Sequence, residues 1–134
     1  MLEALIENIT PVTDFVNAEL EEAGCGIRTQ RMIDVAVDEL FSNIARYAYA
    51  PQTGMVTVRV QVHEAPQRVE VSFVDAGTPY NPLTHEDPVS GLTCKERKEG
   101  GLGIFIVKKS MDDFRYEYAD GYNVTTIVKM FERA

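Results

Sequence analysis

Three short segments of this chain carry residue types that could do chemistry together: Glu39 with Asn43, Asp75 with Gly77, and the run Gly100-Gly101-Leu102-Gly103. Glu39 and Asn43 are four residues apart, so on a helix about 40° separates them and both side chains fall on one side. An Asn carbonyl can ligate a hard cation, and a neighbouring carboxylate can accept a proton from an attacking hydroxyl or water. The same pair would also suit a solvated helix face. Asp75 closes the apolar run Val69-Glu70-Val71-Ser72-Phe73-Val74. An acceptor-only carboxylate there suits the exocyclic amine of adenine, and Gly77 would clear room for a planar base. Asp-x-Gly is equally ordinary turn chemistry. The glycine cluster runs straight into an amphipathic stretch, where backbone N–H groups and the positive end of a helix dipole can receive a polyphosphate. Each segment alone has a plain structural explanation; together they read as the parts of one ATP site.

The elements that must position these residues follow from periodicity. Thr10-Pro11 reads as an N-cap and first helical residue, with Val12, Phe15, Val16, Leu20 and Ala23 on a helical stripe up to Gly24. A second helix from near Thr29 carries Ile33, Ala36, Val37, Leu40, Phe41, Ile44 and Ala48 on one stripe and ends before Pro51. Met55–Val62 and Arg68–Val74 alternate in the manner of paired strands about a turn at 64–67. Phe114–Tyr118 and Tyr122–Phe131 form a second hairpin, joined by the two-residue turn signal Asp120-Gly121. Between the hairpins lie a Pro-rich polar stretch, 76–99, and a helix over about 102–111. This order predicts a two-layer α/β (α+β) sandwich, helices on one face of a mixed, mainly antiparallel sheet, in a single domain over 1–134.

Composition narrows the function. The chain has 134 residues, is 45% hydrophobic and 25% charged, and can bury one core without disulfides. Its net charge of −8, from 21 acidic and 13 basic residues, argues against nucleic acid or an anionic membrane as the main partner, because both require a basic face. Cys25 and Cys94 show no CxxC spacing and His63 and His85 are the only histidines, so neither a disulfide framework nor a zinc site is expected and all four are read as surface or packing residues. The acidic N-terminus and the absence of a long apolar run point to the cytoplasm.

Taken in order, Val37-Asp38-Glu39-Leu40-Phe41-Ser42-Asn43-Ile44-Ala45-Arg46-Tyr47-Ala48-Tyr49, then Val74-Asp75-Ala76-Gly77-Thr78-Pro79-Tyr80-Asn81-Pro82-Leu83, then Glu96-Arg97-Lys98-Glu99-Gly100-Gly101-Leu102-Gly103-Ile104-Phe105-Ile106-Val107 resemble the three nucleotide-binding boxes of the GHKL (Bergerat-fold) ATPases. The chain is most similar to their small stand-alone branch, the bacterial anti-sigma-factor serine kinases. The resemblance implies ATP and Mg²⁺ as cofactors, Asn43 as metal ligand, Glu39 as catalytic base, Asp75 on the adenine amine and Gly77 admitting the base. It places Gly101 and Gly103 against the phosphates, Gly100 at a lid hinge, and Thr126 near adenine, although a strand threonine is also simply a good strand former. The loop from Thr78 to Glu99 would be the lid, with Lys95, Arg97 or Lys98 meeting the terminal phosphate or else forming a solvated charge run. Tyr47 stands where many relatives have histidine. The N-terminal strand usual in the family is reduced here to a short Leu2–Ile9, which bears on homodimer formation. The implied function is a kinase that sequesters a sigma factor and phosphorylates a serine of a STAS-type anti-sigma-factor antagonist. A catalytically silent nucleotide-switched binding module, and a stand-alone ATPase or histidine-kinase-like domain, are the alternatives.

Overall fold

The computed structural model describes residues 1–84 and 101–132. A two-residue strand β1 (Leu2–Glu3) leads through a 3-10 turn at Ile6–Asn8 into helix α1 (Ile9–Glu22) and helix α2 (Ile27–Asn43). Strands β2 (Met55–His63) and β3 (Arg68–Asp75) follow, then helix α3 (Gly101–Ser110) and strands β4 (Asp113–Ala119) and β5 (Tyr122–Met130). The five strands lie in the order β1-β2-β3-β5-β4. Every ladder among the described residues is antiparallel, so the mixed sheet expected above is purely antiparallel there.

Helix α1 begins two residues before its expected start. Thr10 is therefore no cap, and Pro11 falls on the third helical residue, still within the turn whose N–H groups have no intrahelical acceptor. Its buried stripe is Val12, Val16 and Leu20, spaced four residues apart, whereas Phe15 is 45% exposed on its flank. Gly24 ends the helix as expected, at φ 80°, a region open to glycine without steric cost. Its N–H donates to Glu21 O at 3.1 Å and that of Cys25 to Leu20 O at 2.9 Å, the paired bonds of a Schellman cap.

Helix α2 buries Ile33, Ala36, Val37, Leu40 and Phe41 against the sheet. Its α-helical pattern stops at Asn43 and widens into a π turn over Ile44–Ala48, a departure that the helical sequence pattern conceals. In β3 every second residue is buried, Val69, Val71, Phe73 and Asp75, giving the sheet one helix-covered face. The β3–β5 register pairs Val71 with Ile127, Phe73 with Thr125 and Asp75 with Asn123, so these residues share that face. The β4–β5 turn holds Asp120 at φ 54° and Gly121 at φ 84°, the positive pair of a tight hairpin whose twist matches the strands.

Phe73, Phe41, Leu20 and Ile104 are fully buried and unite the two layers. Phe73→Ala should lower the unfolding free energy by about 3–5 kcal/mol, whereas Val62→Ala on the exposed part of β2 should cost less than about 1 kcal/mol. Urea unfolding of the two variants would check the contrast.

Candidate active site

A cavity of about 220 Å³ opens where the end of α2 meets the ends of β3 and β5. Leu40, Asn43 and the π turn, with Ile44, Tyr47 and Ala48, form one wall; Asp75, Asn123 and Thr125 form the sheet wall. Thr78, Pro79, Tyr80 and Pro82 line its rim. The widened turn brings Ala48 O to 2.7 Å from the N–H of Thr78, which fastens the helix end directly to the segment after β3. Gly77 lies within this junction. A Cβ on it would overlap the backbone carbonyl of Ala48, so in this structure its missing side chain permits chain-to-chain contact.

Asp75 is only 3% exposed. Its Oδ1 accepts from Gly77 N at 2.9 Å and from Asn123 Nδ2 at 2.9 Å, while Oδ2 has no hydrogen-bond partner among the described residues. Asn123 Nδ2 also lies 3.2 Å from the carbonyls of Gly77 and Thr78, and the Tyr116 hydroxyl donates to Asn123 Oδ1. Burial, and after it the charge of Asp75, raises the Tyr116 pKa above its ordinary value of 10.0. Beside this network, Tyr49 donates to Met55 O at 2.6 Å and accepts from Ala76 N at 2.8 Å. Its ring lies over Gly54, where a Cβ would collide with it.

Of the residues singled out by sequence, Asn43 and Asp75 meet in the cavity. The Asn43 side chain has no hydrogen-bond partner among the described residues, leaving its carbonyl free for a ligand. Glu39 sits one turn earlier, outside the cavity lining, and packs on Gly103 of α3; a Cβ at Gly103 would overlap the Glu39 carboxylate. Partial burial raises the Glu39 pKa, the negative charge of Asp38 adds to the rise, and Arg46 opposes it. Gly101 is the first residue of α3. Gly100, Lys95, Arg97 and Lys98, with most of the expected lid, lie outside the described residues.

Thr126 requires correction. It pairs with Ser72 on the opposite face of the sheet, their hydroxyls 3.0 Å apart, and does not line the cavity; Thr125 does. Neighbouring strand residues face opposite sides, so a one-residue difference reverses the assignment. Asn123 and Tyr116 were also missed, and strand parity from Asp75 across the register would have been the signal for both. His63 pairs with Glu70 at 3.5 Å and Cys25 is a buried free thiol, in keeping with packing roles. Among the described residues no three His, Cys, Asp or Glu side chains gather as a metal site, and no helix is long and apolar enough to cross a membrane.

Comparison with known proteins agrees with this fold. Residues 2–129 match the family model for the histidine kinase-like ATPase domain. A serine-protein kinase RsbW of Listeria innocua is 28% identical over 107 residues, 76% of this chain and 67% of that protein. The RsbW of Bacillus licheniformis is 32% identical over 101 residues, 69% of this chain and 60% of that protein. Among solved structures, the histidine kinase domain of the Erythrobacter litoralis EL346 blue-light activated histidine kinase superposes with a TM-score of 0.53 at 20% identity. That likeness covers 77% of this chain and 45% of that one, and concerns the fold.

The raised Glu39 pKa has a measurable sign. Because the folded value exceeds the unfolded one of about 4.5, Glu39 favours the fold at low pH and this contribution is lost as pH rises through the folded value. Glu39→Gln suffers no such loss. Its stability relative to wild type should therefore rise with pH across that interval and then level off, as read from urea midpoints at a series of pH values.

Proposed function

We propose, from the premise that this chain belongs to the histidine kinase-like ATPase domain family, that it is a cytoplasmic Mg-ATP-dependent serine kinase that sequesters a sigma factor and phosphorylates a STAS-domain antagonist of anti-sigma factors. The observation that carries this reading is the meeting of Asp75 and Asn43 in one cavity with Glu39 a turn away on the same helix. The relatives named as serine-protein kinases support the reaction class.

In this reading Asp75 accepts the adenine amine through Oδ2, and the apolar wall formed by Leu40, Ile44 and Ala48 packs on the base. Thr125, rather than Thr126, is the strand threonine on the base side. Gly101 and Gly103, at the start of α3, place backbone N–H groups toward the polyphosphate. Asn43 fits a Mg²⁺ site as a single neutral oxygen ligand, since this ion retains waters and takes its other ligands from phosphates. When bound, the ion supplies charge neutralisation at the transferring phosphoryl group. Glu39 accepts the serine hydroxyl proton, a role favoured by a carboxylate whose pKa burial has moved toward neutrality. Gly100 as lid hinge, and Lys98, Arg97 or Lys95 as a clamp on the terminal phosphate, complete the proposal. A second copy of the chain is a further proposed partner.

Loss of the buried acceptor in Asp75→Ala should weaken ATP binding roughly tenfold to more than a hundredfold by calorimetry. Wild-type affinity in that variant would remove Asp75 from the site.

The catalytic assignment is tested by radiolabelled transfer from ATP to a cognate STAS-domain protein. Glu39→Gln should retain nucleotide binding and lose about 10²–10⁴-fold in transfer rate. Asn43→Ala should weaken binding chiefly when Mg²⁺ is present. Undiminished transfer by Glu39→Gln would exclude it as the base. Tight ATP binding by the wild type without transfer to any cognate antagonist would replace the kinase by a nucleotide-switched binding module.

A further inference from the structure

The Asp75 carboxylate is presented asymmetrically, and Asn123 is the cause. A carboxylate oxygen offers about two lone-pair positions. Those of Oδ1 are filled by the N–H groups of Gly77 and Asn123, each at 2.9 Å, while Oδ2 has no partner among the described residues. The Asn123 amide cannot turn over without loss: its oxygen accepts from the Tyr116 hydroxyl and, at 3.4 Å, from Tyr80 N, and its nitrogen is also within 3.2 Å of two backbone carbonyls. Asn123 is itself 4% exposed and shares the cavity wall with Asp75.

Resting on the proposal that the cavity takes a nucleotide base, we infer that Asn123 is a specificity-determining residue, which by saturating one oxygen of Asp75 makes the site select adenine over guanine. Adenine presents one amine donor beside a ring acceptor. Guanine presents two adjacent donors, a ring N–H and an amine, which match the two oxygens of a free carboxylate side by side. With Oδ1 occupied, the second guanine donor meets no acceptor, and a buried donor without an acceptor is strongly disfavoured. Tyr116 is the positioning side chain in this arrangement. With the N–H of Tyr80 it acts through Asn123 by fixing which end of the amide faces Asp75.

The experiment is calorimetric titration of the whole chain with ADP and with GDP. Wild type should bind ADP at least about tenfold more tightly. Asn123→Ala frees one position on Oδ1 and should move the ADP-to-GDP affinity ratio toward GDP by about tenfold; Tyr116→Phe, which only loosens the amide, should move it the same way by about threefold. A purely structural role would weaken both nucleotides together and leave the ratio fixed. An unchanged ratio in folded Asn123→Ala overturns the inference, and an unchanged ratio in Tyr116→Phe overturns it should the alanine variant fail to fold. Equal binding of ADP and GDP by wild type overturns it too, while leaving the nucleotide site in place. Binding of neither removes the nucleotide reading and this inference with it.

Discussion

A carboxylate placed almost entirely out of water at the end of a core strand is the constraint around which this molecule is arranged. Asp75 lies on the same sheet face as Val69, Val71 and Phe73, one step beyond the hydrophobic core. A buried carboxylate without hydrogen bonds is strongly unfavourable, so its surroundings must supply donors. Gly77 supplies one by turning the chain back immediately after the strand, and Asn123 supplies another from the paired position on β5. The resulting turn is close enough to the helix end for Thr78 to bond to Ala48, and Tyr49 binds Ala76 on the other side. Accommodation of one charge thus fixes the mutual placement of the sheet end, the turn after β3 and the last turn of α2.

The cavity is the space this arrangement leaves. Its apolar wall comes from a helix that widens at Ile44, and its polar groups are few: Asn43, Asp75, Asn123, and the hydroxyls of threonine and tyrosine. Such a combination, an apolar slot with a small number of oriented polar atoms, is the general character of a small-molecule site. Glu39 belongs to the neighbouring contact between α2 and α3. Gly103 there admits the carboxylate against the helix backbone, so among the described residues the residue proposed for proton transfer is seated by packing.

Much of the scaffold was legible because local patterns are strong. The Gly24 stop, the stripe from Ile33 to Phe41, both hairpins and the Asp120-Gly121 turn follow from residue periodicity and positive-φ chemistry, and the structure contains them. Three features were hidden for identifiable reasons. The start of α1 was misplaced because Pro11 fits any position in a first turn. The π turn has the side-chain spacing of an ordinary helix continuation. The reversal of Thr125 and Thr126 arose because Val124-Thr125-Thr126-Ile127-Val128 has no alternation of polar and apolar residues by which to assign a face, leaving the register with β3 to decide it. Asn123 was missed for a related reason: its significance comes from a partner 48 residues away.

The outer edge of β2, only partly paired among the described residues, bears on strand pairing between copies of this domain. Leu2 and Glu3 cover only Val56 and Met55, so from Thr57 to His63 the outer edge of β2 pairs with no strand among the described residues. An open edge with valine at every second position is a template for uncontrolled strand addition. Here Arg59, exposed near the middle of that edge, would bring like charges together if two copies aligned in antiparallel register about it. That like charge disfavours this one pairing register along the edge.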